Sequence, residues 1–89
     1  MKAILTVIGK DQVGIVYEVS KILSRAKVNI LDINQTIMQD YFTMVLLCDF
    51  EGADKNLDEL QKEFLKLEKK QNLVIKLQNE EIFNAVYNI

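Results

Sequence analysis

Gly9-Lys10-Asp11-Gln12-Val13-Gly14 is the stretch whose reading decides the fold, because an apolar run ends at its start and an amphipathic run begins directly after it. A strand that hands the chain to a helix here leaves the first-turn N–H groups without intrahelical acceptors. With the positive end of the helix dipole, they favour a negative ligand by roughly 0.3 to 1 kcal/mol when exposed. Gly9 and Gly14 permit positive φ and close approach of another backbone, so a tight loop with its amides turned towards a small ligand is sterically allowed. The same two glycines equally suit a loop that only turns the chain.

Upstream of this stretch, Ala3 to Ile8 is β-branched and apolar on both parities, which predicts a central strand covered on both faces. Downstream, a helix is expected from Gln12 to Ala26. Ile15, Val19, Ile22, Leu23 and Ala26 recur on one face, Glu18, Lys21 and Arg25 lie on the other, and Asp11 is placed to cap it. Val28 to Met38 alternates as an edge strand would, with Leu31, Ile33, Gln35 and Ile37 on one parity and Ile30, Asp32, Asn34 and Thr36 on the other. Gln39-Asp40 fits a hairpin turn into Phe42 to Phe50, apolar on both parities and therefore central. After Gly52, Asn56 and Glu59 form a capping-box pattern for a helix to about Lys70, with Leu57, Leu60, Phe64 and Leu67 as its buried stripe. Leu73 to Gln78 alternates again as an edge strand, and Glu80 to Ile89 sets Ile82, Phe83, Val86 and Tyr87 on one face of a short closing helix.

The order β-α-β-β-α-β is the ferredoxin-like pattern, an α+β sandwich. Right-handed crossovers with the first and third strands in the middle give an antiparallel sheet in spatial order 4-1-3-2, with two helices on one face. The glycines then fall in the two strand-to-helix loops, which are expected to share one functional rim. The face opposite the helices keeps apolar side chains from both central strands, and the second strand offers an unpaired edge, so a homodimer is expected.

Composition narrows the function. The chain has 89 residues with 49% hydrophobic content, enough for one domain spanning residues 1–89. Its net charge of -2, from 11 basic and 13 acidic residues, opposes nucleic-acid binding. Lys2 with the run from Ala3 to Ile8 is too short for a signal peptide and lacks a cleavage site, and no run is long enough to cross a bilayer, so a cytoplasmic protein is expected. Cys48 has no partner for an internal disulfide and reads as a core residue, and with no His in the chain neither a metal site nor a general base is expected. Two polar residues stand out beyond the loop. Asn29 precedes the second strand and can offer an amide to a polar ligand, while Gln35 shares a parity with Leu31 and Ile33. Its burial would require a bulge, an interface or a ligand.

Leu5-Thr-Val-Ile-Gly-Lys-Asp-Gln-Val-Gly-Ile-Val16 together with Val28-Asn-Ile-Leu-Asp-Ile33 resembles the ACT domain family, small regulatory domains of this fold that bind amino acids. The chain looks most like the free-standing bacterial members related to the glycine cleavage system repressor. The resemblance implies a ligand held by the loop before the first helix, at Asp11, Gln12, Val13 and Gly14. It also implies contacts from the start of a neighbouring subunit's second strand, at Asn29 and Ile30. Two positions depart from the family pattern: Val13 stands where many members have Pro, and Asp11 where Asn is frequent. A carboxylate at Asp11 suits a ligand ammonium and repels a ligand carboxylate.

Other readings of the same fold fare worse. Gln12-Val13-Gly14 echoes the phosphate loop of acylphosphatases, but their mechanism needs an arginine shortly after the glycine, and here none follows until Arg25. RNA binding needs exposed aromatics with basic neighbours on the central strands, and the first strand has no aromatic. The expectation is therefore a small-molecule sensor without cofactor or catalysis, coupled to a regulated protein partner. Its rival is a protein-interaction module whose loop is purely structural.

Overall fold

Alternating apolar side chains determine which face of each strand meets the helices. The computed structural model describes residues 1–81. Its elements are β1 (Lys2–Lys10), α1 (Ile15–Arg25), β2 (Asn29–Met38), β3 (Tyr41–Asp49), α2 (Leu57–Gln71) and β4 (Val74–Asn79). The strands form one sheet in the order β2-β3-β1-β4, antiparallel throughout. This is the ferredoxin-like arrangement expected from the sequence. The closing helix expected over residues 80–89 lies almost wholly outside the described residues.

Ala3, Leu5 and Val7 of β1 and Phe42, Met44, Leu46 and Cys48 of β3 point to the helix side and are buried. The register pairs like with like, Leu5 with Leu46 and Val7 with Met44. Ile15, Val19 and Leu23 of α1 and Leu60, Phe64 and Leu67 of α2 close the same core. Burial pushes the Cys48 thiol up to about 11, so it stays protonated near neutral pH. The opposite face of β1 is less covered than its composition suggested: Ile4 and Thr6 are half-buried and Ile8 is 43% exposed. β1 is central, but only one of its faces lies under helices.

The capping box at α2 forms as read. Asn56 Oδ1 accepts from the Glu59 N–H at 2.9 Å, and Glu59 Oε1 accepts from the Asn56 N–H at 3.1 Å. The expected cap at α1 does not form. Gly14 takes the N-cap position at φ 93°, no side chain caps it, and the helix starts at Ile15 rather than Gln12. Asp11 is instead held by its own N–H, which donates to the Asp40 carbonyl at 2.8 Å in the β2–β3 hairpin. Gly9 lies within β1 and not in the loop. Its value is space, since a Cβ there would stand 2.5 Å from Leu73 Cδ2.

β2 carries a bulge between Ile30 and Asp32. The extra residue, Leu31, shifts Ile30 onto the face of Ile33, opposite Cys48, and so divides the strand differently from simple alternation. Gln35, opposite Met44 on the same face, is exposed rather than buried, as are Ile33 and Ile37 at 43% and 54%. β2 is the outermost strand on its side, and α1 covers only its beginning, so the Gln35 amide reaches water.

Phe64 of α2 has the largest of the fully buried side chains among the described residues. Phe64→Ala should lower the unfolding free energy by about 3 to 5 kcal/mol, measured by urea denaturation.

Candidate functional site

At the end of β1 the loop is tied down on two sides. Besides the Asp11 bond to the hairpin, the Gln12 side chain donates from Nε2 to the Gln71 carbonyl at 2.8 Å and to the Lys10 carbonyl at 3.3 Å. Gln71 answers by donating from its own Nε2 to the Val13 carbonyl at 3.4 Å. The Gln71 carbonyl belongs to the last turn of α2, where intrahelical donors run out, so Gln12 satisfies an acceptor that would otherwise need water. Gln71 Oε1 is buried without a protein partner among the described residues.

Between these ties the loop stands open to solvent, with Val13 97% exposed. The first intrahelical bond of α1 is from the Glu18 N–H to the Gly14 carbonyl, at 2.9 Å. The N–H groups of Ile15, Val16 and Tyr17 therefore have no acceptor within the helix. Their positive end opens towards the loop, and Asp11 in that loop is exposed.

Asn29 and Ile30 stand elsewhere. β1 and β2 each run antiparallel to β3 and are thus parallel to one another, so the end of β1 and the start of β2 lie at opposite ends of the sheet. Over the nine residues of β1 that separation is on the order of 25 Å. Asp11, Gln12, Val13 and Gly14 form one cluster in the chain, and Asn29 and Ile30 form part of another. The second is an open groove of about 510 Å³ between α1 and β2, lined by Ser20, Ser24, Lys27, Val28, Asn29 and Ile30.

The two strand-to-helix loops likewise do not share a rim. The loop after β3 meets the opposite end of the molecule, where the Phe50 N–H donates to the Met1 carbonyl and the Asp54 N–H to the Ala26 carbonyl, both at 2.8 Å. Antiparallel pairing of β1 and β3 makes this unavoidable. The loop after β1 shares its rim with the β2–β3 hairpin instead.

Sequence reasoning missed Gln71, because nothing local marks a residue whose partners lie 58 and 59 positions away. Ser20 and Ser24 did leave a trace: small hydroxyl residues four apart on α1 form a stripe distinct from the charged one. Among the described residues there is no group of three or more His, Cys, Asp or Glu side chains that could hold a metal ion. No helix there is long and apolar enough to cross a membrane.

A model of the ACT domain family matches residues 2–78. A UPF0237 protein of Clostridium acetobutylicum is 51% identical over 89 residues, covering 100% of both chains. The solved structure of an ACT domain protein from Streptococcus pneumoniae is 39% identical, covers 98% of each chain and superimposes with a TM-score of 0.80. A candidate glycine cleavage system transcriptional repressor superimposes with a TM-score of 0.75, at 23% identity over 86% of this chain and 44% of its own. At that identity the likeness is one of fold.

Gly14 has φ 93°, and beyond its chain neighbours the nearest of the described atoms to where a Cβ would sit is Gln71 Nε2 at 3.8 Å, so substitution there meets conformational strain rather than a clash. Gly14→Ala should cost about 1 to 2 kcal/mol in urea denaturation, with Gly14→Asn costing less because Asn tolerates the left-handed region.

Proposed function

The chain belongs to the ACT domain family, and from that premise we propose that it is a non-catalytic regulatory sensor that binds an amino acid between two copies of itself. The observation that carries this reading is the placement of the two residue clusters at opposite ends of one chain. The outer edge of β2 is unpaired among the described residues. Two copies joined antiparallel across that edge would bring the start of each β2 towards the other copy's loop. Asn29 and Ile30 of one copy would then face Asp11, Gln12, Val13 and Gly14 of the other. A site divided in this way needs the dimer.

In this reading the ligand carboxylate meets the amides of Gln12, Val13 and Gly14 ahead of the α1 N-terminus, where the dipole favours it. Its ammonium meets Asp11. The Asn29 amide closes the cage, with Ile30 as an apolar wall. Binding favours the assembled state by the difference in affinity between dimer and monomer, which is the regulatory output passed to a protein partner. The setting is the cytoplasm, where an unpaired thiol such as Cys48 stays reduced.

A second reading draws on the ties around the loop. Because Gln12 and Gln71 each satisfy a backbone carbonyl, the loop geometry is accounted for without a ligand. The chain would then be a protein-interaction module.

Thermal unfolding against a panel of the standard amino acids separates the two. A ligand at a hundredfold excess over its Kd stabilises by about 2.7 kcal/mol, a shift of several degrees in a domain of this size. Asn29→Ala should abolish that shift and leave the ligand-free melting temperature unchanged. Light scattering at tens of micromolar should give a dimer mass. No stabilisation by any amino acid would favour the interaction module, and a monomer mass with ligand present would rule out the divided site.

A further inference from the structure

One groove on the helical layer is lined by more bases than acids, although the chain as a whole is acidic. Between α1 and α2 runs a groove of about 210 Å³ with Ile22 and Leu67 in its lining. Lys21 and Arg25 line it from α1, and Lys66 and Lys70 from α2. Its two acids are already engaged: Glu63 accepts from Lys55 at 2.8 Å, and Glu18 faces Lys70 at 3.8 Å. Lys21, Arg25 and Lys66 have no carboxylate within ion-pair distance among the described residues, and Lys21 rests 5.7 Å from the centre of the Tyr17 ring.

Lys21 with Arg25, and Lys66 with Lys70, are like-charge pairs four residues apart, an unfavourable spacing; Arg25 and Lys70 gain from the helix dipole in the last turns of α1 and α2, whereas Lys21 and Lys66 have no such compensation. A chain of net charge -2 has carboxylates enough to neutralise them, yet gathers these cations along one groove. We propose that the α1–α2 groove is a docking surface for an acidic amphipathic helix of a partner protein. The occupant's apolar stripe would lie on Ile22 and its carboxylates would meet the cations on both walls.

A helix fits better than a small anion for two reasons. Amides in the middle of α1 and α2 are committed to their own helices, so a phosphate would meet only lysine and arginine side chains and no fixed backbone donors. The cations on each wall recur after about one helical turn, roughly 6 Å, which is the repeat of carboxylates along one face of a helix. The groove uses the Lys21 and Arg25 face of α1, while the Ser20 and Ser24 face borders β2. None of the groove cations is among the residues of the amino-acid site, so variants at Lys21, Arg25 and Lys66 separate the two readings.

The test is titration of the 15N-labelled protein with a synthetic acidic peptide of about eighteen residues, a leucine stripe flanked by glutamates, followed by NMR. Amide shifts confined to α1 and α2 are expected. Affinity should fall about tenfold or more between roughly 50 and 250 mM salt. The charge reversals Lys21→Glu, Arg25→Glu and Lys66→Glu together should abolish binding, whereas Lys2→Glu with Lys76→Glu should leave it unchanged. If the reversed protein fails to fold, Lys21→Gln, Arg25→Gln and Lys66→Gln should weaken binding in its place. The proposal is overturned by no shifts at millimolar peptide, by shifts centred on the sheet, by groove variants that bind like wild type, or by inorganic phosphate producing the same shifts at the same concentration.

Discussion

One face of the sheet is sealed by α1 and α2, and nearly every other feature of the molecule follows from that burial. Leu5, Val7, Met44 and Leu46 on the central strands meet Val19, Leu23, Leu60 and Phe64 on the helices, all of them fully buried. Each such side chain is worth about 1.5 to 3 kcal/mol relative to exposure, so a small domain concentrates most of its stability in this single layer. The two helices cannot also cover β2 along its length. Ile33, Gln35 and Ile37 therefore face the helix side and yet remain in contact with water.

That uncovered margin gives the edge of β2 its importance. An unpaired edge with exposed isoleucines is a liability in isolation and a ready surface for a second copy. The strand directions add a further constraint. In a sheet antiparallel throughout, the loop after β1 and the start of β2 belong to opposite poles of the chain, and any site that uses both must be shared between chains. The Asp11 bond to the hairpin and the mutual bonds of Gln12 and Gln71 hold the loop pole in place whether or not a neighbour is present.

Charge is distributed as unevenly as apolar surface. The loop leads into the N-terminal, positive end of α1, whereas the outer groove between the helices presents cations whose neighbouring acids are already engaged. The two surfaces meet near one end of the groove, where Glu18 donates its N–H to the Gly14 carbonyl and Lys70 precedes the Gln71 that braces the loop.

Periodicity and local signals determined the element order, the apolar parities that mark central and edge strands, and the capping box at Asn56 and Glu59, because each depends on residues close together in sequence; the family was legible only through the likeness of residues 5–16 and 28–33 to known members. Residues 9–14 were legible as a junction for the same reason. Their detailed geometry was not: Gly14 rather than Asp11 caps α1, since only a glycine enters that turn at φ 93° without strain. The bulge at Leu31, the exposure of Gln35 and the brace from Gln71 were decided by tertiary structure alone. Each depends on which distant element lies opposite, and on how far α1 reaches across the sheet. The two glycine loops, expected on one rim, lie at opposite ends because β3 runs against β1, a separation that the expected antiparallel order 4-1-3-2 already contained.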